Sequence, residues 1–504
     1  MAQLLLVLAL LGAVSAQWDP NTAYNRQAMV HLFEWKWSDI ANECESYLGP
    51  YGFGGVQISA PNEHAVIWNP FRPWWERYQP VGYELISRSG NDGEFRDMVT
   101  RCNNVGVRIY VDAVINHMAA GSGTGSDGSG FSDYDFPAVP FSSWDFNVPN
   151  GKCSTSSGNI ENYNDATQVR NCNLLGLNDI DLSKSYCQEK LINFMNDVID
   201  IGVAGFRVDA VKHMWPGDLQ SIYGSLHNLN TQWFPSGSRA FIVQEVIDQG
   251  GEPIKATDYD HLGRVTEFKY GLELGDAFQG NNQLRWLSNF GEAWGFLSDG
   301  ASLAFVDNHD NQRGHGGGGG IVTHKEARLY KMANAYMLAW PYGFTRVMSS
   351  FYFDSGDQGP PSDGNGNTKS PTFDSNGACA FSSGWVCEHR WRQIRNMVGF
   401  RNTAAGQNVV NWWDNGNNQI AFGRGNKAFI AINGDSYTMS QKFQTGLPSG
   451  TYCNVIQADY QNGRCVGDGG SNGPTITVDG SGFATFSVGT GDDPVAAIHV
   501  DAKL

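Results

Sequence analysis

Arg207 and Asp209 stand two residues apart in GFRVDAVKHMW (205–215), where apolar and charged residues alternate. In a strand, residues two apart share a face, so this spacing sets a cation beside a carboxylate at the end of an apolar run. Taken alone, the pattern is that of an ordinary structural ion pair. Two further apolar runs change its meaning: AFIVQEV (240–246) leads into Glu245, and ASLAFVDNHD (301–310) ends on Asp310. Two carboxyl groups flanking a glycosidic bond can act as proton donor and as nucleophile, provided their surroundings separate their proton affinities. Position alone does not say which acid takes which part.

Some larger frame must bring three distant acids together. Strand-like apolar runs recur at 28–33, 55–59, 107–115, 205–211, 240–246, 264–268, 303–306 and 345–349, with helix-like stretches at 37–48, 93–104, 185–201, 283–289, 325–339 and 390–400. Eight strands with interleaved helices predict an α/β fold, a closed (β/α)8 TIM barrel. Chemistry in that fold sits at the C-terminal strand ends, and the three acids fall there, on strands four, five and seven. Residues 17–115 and 182–406 are read as this barrel. Residues 116–181, rich in Gly, Ser, Asn and Asp, are too long for a turn and are read as an irregular excursion domain after strand three. From 407 to 504 short alternating runs separated by Asn, Gly and Asp predict an antiparallel β-sandwich. The turn-rich stretch 351–386 is expected on the surface.

Residues 1–16, MAQLLLVLALLGAVSA, have an apolar centre and a small-x-small end, the pattern of a secretory signal cleaved before Gln17. No other stretch approaches the length of a membrane span. The net charge of -17 excludes the counterion release that drives binding to nucleic acid or anionic membranes, so neither is an expected partner. A neutral ligand fits better. Sixteen Trp and nineteen Tyr offer flat apolar faces suited to sugar rings, although most aromatics in any protein are core. Nine cysteines fit an oxidising compartment, and the odd count leaves one unpaired.

The segments DAVINH (112–117), GFRVDAVKH (205–213), QEV (244–246) and FVDNHD (305–310) resemble the four signature regions of the α-amylase family of retaining glycoside hydrolases. NPFRPWWERYQP (69–80), WPYGFTR (340–346) and CEHRWRQIRNMV (387–398) resemble the chloride-dependent animal branch, and the likeness runs from Gln17 to Leu504. The resemblance implies a secreted, monomeric, endo-acting hydrolase of α-1,4 bonds in starch, glycogen and maltooligosaccharides, with digestive secretion as the setting. It implies Asp209 as nucleophile, Glu245 as general acid and base, and Asp310 as the carboxylate that grips sugar hydroxyls. An oxocarbenium centre needs negative charge beside it and the leaving oxygen needs a proton, so three acids match the task.

The same resemblance places Trp74, Trp75 and Tyr78 on an aromatic sugar platform, and His117, His309, Lys212, His213 and His315 against substrate. As an isolated motif WWERY could equally be stacking surface or core, and a histidine taken alone is more often a satisfied structural group. It implies a calcium held by side-chain oxygens of Asn116 and Asp179 and main-chain carbonyls of Arg170 and His213, a hard oxygen set that suits the ion. Zinc is not expected, because no H-x-x-x-H or C-x-x-C spacing occurs. Arg207, Asn308 and Arg346 match the chloride set; two guanidinium groups near a buried acid repel unless an anion lies between them, or unless they pair with carboxylates. Implied disulfides are Cys44 with Cys102, Cys153 with Cys172, Cys379 with Cys387, and Cys453 with Cys465, leaving Cys187. A glycine run, 314–320 apart from His315, is too permissive to hold one conformation and resembles the mobile loop beside the amylase cleft.

Two other readings use the same residues. A glucan transglycosylase keeps the three acids and excludes water from the covalent intermediate. A binding-only glucan protein would have lost one of them, and none is lost.

Overall fold

The computed structural model describes residues 17–504, and the leader expected over 1–16 lies outside them. Eight parallel strands close into a barrel. They are β1 (Ala28–Leu32), β2 (Gly55–Ile58), β3 (Arg108–Ala113), β4 (Gly205–Val208), β5 (Phe241–Gln244), β6 (Arg264–Thr266), β7 (Ser302–Ala304) and β8 (Phe344–Ser349). Seven of them are buried along their whole length, as expected where both faces of a parallel sheet are covered. Closure is tight at the start of β4: a Cβ on Gly205 would sit 2.1 Å from the carbonyl oxygen of Phe241, so only glycine fits beside β5.

Helices α1 (Trp37–Glu43), α2 (Asp92–Asn104), α3 (Ser185–Ile201), α4 (Pro216–Gly224), α5 (Phe268–Phe278), α6 (Ala327–Ala339) and α7 (Arg392–Thr403) surround the barrel. The α2 start is fixed by a reciprocal cap, in which Asn91 Oδ1 accepts from the Glu94 amide and Glu94 Oε2 accepts from the Asn91 amide. Its far end is bridged to the α1 region by Cys44–Cys102. The α3 helix buries Cys187, Leu191, Phe194, Met195, Val198 and Ile199, one stripe at helical spacing, and stops at Gly202 with φ 123°.

Two expectations need correction, the end of the 264–268 strand and the placing of 351–386, and one connection departs from the regular barrel plan. The 264–268 strand ends at Thr266, and Phe268 begins α5. Only the short 3-10 turn Ala256–Asp258 lies between β5 and β6, so that connection lacks a full helix. The 351–386 stretch is not all surface, because Phe351 and Trp385 pair across its base and are both buried.

Between β3 and α3 the chain forms two small antiparallel ribbons, His117–Met118 with Asn178–Asp179 and Ser122–Thr124 with Gly130–Ser132, and the helix Ala166–Asn171. Cys153–Cys172 closes this region. Beyond α7, β9 (Val409–Asp414), β10 (Gln419–Arg424), β11 (Ala428–Asn433) and β12 (Val495–His499) make a four-stranded antiparallel sheet. A second core, including Phe429, Phe443, Phe486 and Ile498, packs it against shorter ribbons. Among the described residues no helix is long and apolar enough to cross a membrane.

Candidate active site

Asp209 is the first residue after β4, and Glu245 the first after β5. Both face a cleft of about 690 Å³ at the C-terminal end of the barrel. Asp310 faces it too, although β7 ends six positions earlier. A turn supplies the difference: Asn308 Oδ1 accepts from the amides of Asp310 and Asn311 at 3.1 and 2.7 Å, and Asn311 Oδ1 accepts from the Asn308 amide at 2.8 Å.

Arg207 organises the charge. Its Nη1 donates to Asp112 at 2.7 Å and to Asp209 at 2.6 Å, and its Nη2 lies 2.8 Å from Glu245 Oε1. One buried guanidinium therefore joins carboxylates from β3 and from the ends of β4 and β5. Such a charge is stable only because it is paired this completely. The other Glu245 oxygen accepts from the Ala210 amide at 2.8 Å. Ala210 turns that amide inward by adopting φ 52°, a left-handed conformation that alanine rarely takes.

Burial pushes the Asp209 carboxyl well above its ordinary range, opposed by Arg207 and reinforced by Glu245. Burial, then the charge of Glu245, push Asp310 up to about 7. The cluster therefore retains a proton near neutrality. About 19% of the Asp310 side chain still meets the open cleft, so solvent discounts the cost of charging it. In the native state Asp310 keeps its proton up to about pH 7, whereas an unfolded chain releases it near pH 4. Native stability then falls as pH rises between those values. Asp310→Asn is expected to be more stable than wild type at pH 8 by about 1–2 kcal/mol, with the difference vanishing below pH 4. Thermal denaturation across pH checks this; a pH-independent difference would contradict it.

The expected contact residues meet in this one cleft. Trp74, Trp75 and Tyr78 form one side of it. Trp74 is mostly buried, its indole nitrogen donating to the Gly356 carbonyl at 2.7 Å, while Trp75 donates to Asp357 at 3.0 Å. Tyr78 stacks on His309 with centroids 5.2 Å apart. His117, Lys212, His213 and His315 line the cleft as well. His117 and His309 differ in their partners. His117 Nε2 donates to the Tyr78 carbonyl at 2.9 Å and its Nδ1 faces the Asn116 amide at 3.2 Å, so both nitrogens are occupied. His309 Nδ1 is buried without a protein partner. Burial holds both rings neutral, His117 at about 4 and His309 well below its ordinary value.

Lys212 pairs with Glu252 and donates to the Ile247 carbonyl at 2.9 Å. Glu252, Tyr163 and Ile247 also line the cleft, and no motif in the sequence marks them. The glycine run follows a defined path: Gly314, Gly317 and Gly319 take positive φ, and the Phe268 ring occupies the place of a Gly317 side chain. Its glycines serve close fit as well as freedom.

The implied chloride set is half paired. Arg207 meets three carboxylates, but among the described residues Arg346 meets none: its Nη1 donates to Gln57 at 2.8 Å and its buried Nε has no partner. Burial, then the field of Arg207, pull Arg346 down to about 10. A buried, unpartnered guanidinium N–H in the field of a second cation suits a small anion. Asn308 spends its carbonyl oxygen on the Asp310 turn, leaving its amide group for such an ion.

The implied calcium residues are also brought together. His117 pairs with Asp179, and Asn116 accepts through its carbonyl from Ile180, which sets Asn116 beside Asp179. Asn116, Arg170 and His213 line one small cavity with Asn147 and Asp181. Asp179 is buried, accepts from Asn147 at 2.6 Å, and is pushed well above its ordinary range by burial. His213 Nδ1 donates to the Val169 carbonyl at 2.9 Å, and the Arg170 side chain is held by the Tyr259 hydroxyl at 3.0 Å. A buried carboxylate amid oxygen donors is a set that a hard cation fits.

Comparison with known proteins adds a likeness over the whole chain. The descriptions "Alpha amylase, catalytic domain" and "Alpha amylase, C-terminal all-beta domain" match residues 76–247 and 410–501. Alpha-amylase 1B of Homo sapiens is 59% identical over 99% of both chains, and an alpha-amylase of Oryzias latipes is 57% identical over 100% of both. A crystal structure of a glutamate-to-glutamine variant of alpha-amylase I from Eisenia fetida, in complex with maltohexaose, superposes with a TM-score of 0.91 at 52% identity, over 94% of this chain and 97% of that one.

Proposed function

The chain belongs to the α-amylase family of starch-hydrolysing glycoside hydrolases, and on that premise we propose that its cleft cuts internal α-1,4-glucosidic bonds of starch and glycogen with retention of configuration. The observation that carries the residue roles is Arg207 joined to both Asp209 and Glu245. Asp209 attacks the anomeric carbon while Glu245 gives its proton to the departing glucan oxygen, leaving a glycosyl ester on Asp209. Glu245 then takes a proton from water, which attacks the same carbon, breaks the ester and restores the original configuration. Arg207 opposes the burial of Asp209 and so favours the ionised form that attacks. Asp310 and His309 hold sugar hydroxyls in this reading, and Asp310, once ionised above about pH 7, adds negative charge beside the oxocarbenium-like transition state.

Asn116 and Asp179, with the carbonyls of Arg170 and His213, would hold calcium, which supplies a clamp between the 116–181 region and the loop after β4. Arg207, Asn308 and Arg346 would hold chloride, which supplies counter-charge next to the acids. Four disulfides support an extracellular setting, and maltooligosaccharides fit as products.

The test is a time course of reducing ends and resolved oligosaccharides from soluble starch. Early mixed oligosaccharides are expected. Redistribution of chain length at constant reducing ends would make transfer the chemistry, and binding without change would leave a glucan-binding protein. Dialysis free of chloride is expected to lower the rate, with chloride restoring it. A full rate and unchanged pH optimum without chloride would remove the anion site. A chelator is expected to lower the melting temperature, and an unchanged one would remove the calcium site.

A further inference from the structure

Arg313 stands just beyond Asp310 and is almost wholly buried, yet among the described residues it pairs with no carboxylate. Its guanidinium carbon instead lies 4.3 Å from the Phe353 ring, 4.7 Å from Phe351, 5.1 Å from Phe33 and 5.8 Å from Trp74. These four rings come from the chain just after β1, from the turn Trp74–Tyr78, and from the chain after β8. Aromatic faces compensate a desolvated cation through their quadrupoles, and a planar guanidinium suits such a box. Burial lowers Arg313 only to about 10, so it stays charged at neutral pH.

The box is joined to the reacting segment. Arg313 Nη1 donates to the His309 carbonyl at 2.8 Å, and the amides of Arg313 and His315 donate to the Asp310 carbonyl at 2.9 and 3.1 Å. His309 itself packs against Phe33 and Trp74, with centroids 5.0 and 5.4 Å apart. The glycine-rich chain that follows can contribute little stiffness of its own. The anchoring of residues 309–315 to the Trp74 wall therefore runs through the caged cation as well as through the ring of His309.

We propose that Arg313 is a positioning residue for glucan hydrolysis, its aromatic cage and its bond to the His309 carbonyl pinning His309 and Asp310 against the Trp74 side of the cleft. This rests on the reading of the cleft as a glucan hydrolase. Displacement of a gripping carboxylate by a fraction of an ångström is felt in the transition state, so the loss falls on kcat more than on KM.

The experiment compares wild type, Arg313→Met, Arg313→Lys, Phe353→Leu, Asp310→Asn and the double variant R313M/D310N on a defined maltooligosaccharide, with melting temperatures alongside. Arg313→Met is expected to lower kcat about ten- to a hundred-fold with a smaller change in KM. Arg313→Lys, which keeps a caged cation able to reach the carbonyl, recovers several-fold of that loss. Phe353→Leu, which keeps the arginine and opens one wall, lowers kcat in the same direction. In the double variant the further loss caused by Arg313→Met is smaller than in wild type, because part of the effect of Arg313 passes through Asp310. Three results would overturn the proposal: kcat of Arg313→Met within twofold of wild type, equal losses in the Lys and Met variants that follow melting temperature, or multiplicative losses in the double variant. Absence of hydrolysis by wild type would instead remove the functional reading beneath it.

Discussion

Asp209→Asn is expected to lower the release of reducing ends from starch by about four orders of magnitude or more, while leaving the fold intact. The amide has the same shape as the carboxylate and can still accept from Arg207 Nη1, which lies 2.6 Å away. It cannot form the glycosyl ester. Because burial pushes the Asp209 carboxyl upward, its charge is a burden on the native state, and the neutral amide removes it. The melting temperature at neutral pH is therefore expected to equal or exceed that of wild type. Reducing-end assay and thermal denaturation on the same preparation check both parts. A variant that retains more than about one hundredth of wild-type activity would assign the nucleophile elsewhere.

Arg207→Gln is expected to do the reverse, damaging fold and catalysis together. Asp112, Asp209 and Glu245 each lean on this one guanidinium. Without it three buried carboxyls face one another, and breaking a buried pair in this way costs about 3–5 kcal/mol. The sign with pH follows from protonation. Loss of the cation raises the native proton affinity of the remaining acids, so the variant is least impaired at low pH, where they are neutral, and loses stability as pH rises through their native range. Melting temperatures from pH 4 to 8 should show a deficit that widens upward. A deficit of constant size would mean that Arg207 contributes packing rather than charge.

The strands were legible because a parallel barrel buries both faces of each one, and uninterrupted apolar runs stand out in any sequence. The α4 and α5 helices were not. α5 contains Gly271 and Gly275, which lower helix propensity. The structure shows why they are there: a Cβ at Gly271 would lie 2.4 Å from the Val306 carbonyl oxygen, and one at Gly275 2.0 Å from that of Gly320. Close approach of this helix to the chain after β7 requires residues that local preference would exclude. The 351–386 stretch misled for the opposite reason, since its turn residues hide the buried anchors Phe351 and Trp385.

By itself the sequence singled out three candidate acids, two of which lie at strand ends, the alternation of strands and helices, and, through resemblance, the family. It could do so because residue type and short-range period are local properties. Tertiary structure alone decided that Arg207 holds carboxylates from β3, β4 and β5 at once, that Ala210 bends to aim its amide at Glu245, and that Arg313 sits inside four rings drawn from three separate loops. Apart from the Arg207–Asp209 pair, each of these contacts joins positions tens or hundreds of residues apart. They exist only once the barrel closes and brings its strand ends to one mouth, so no window of sequence contains them.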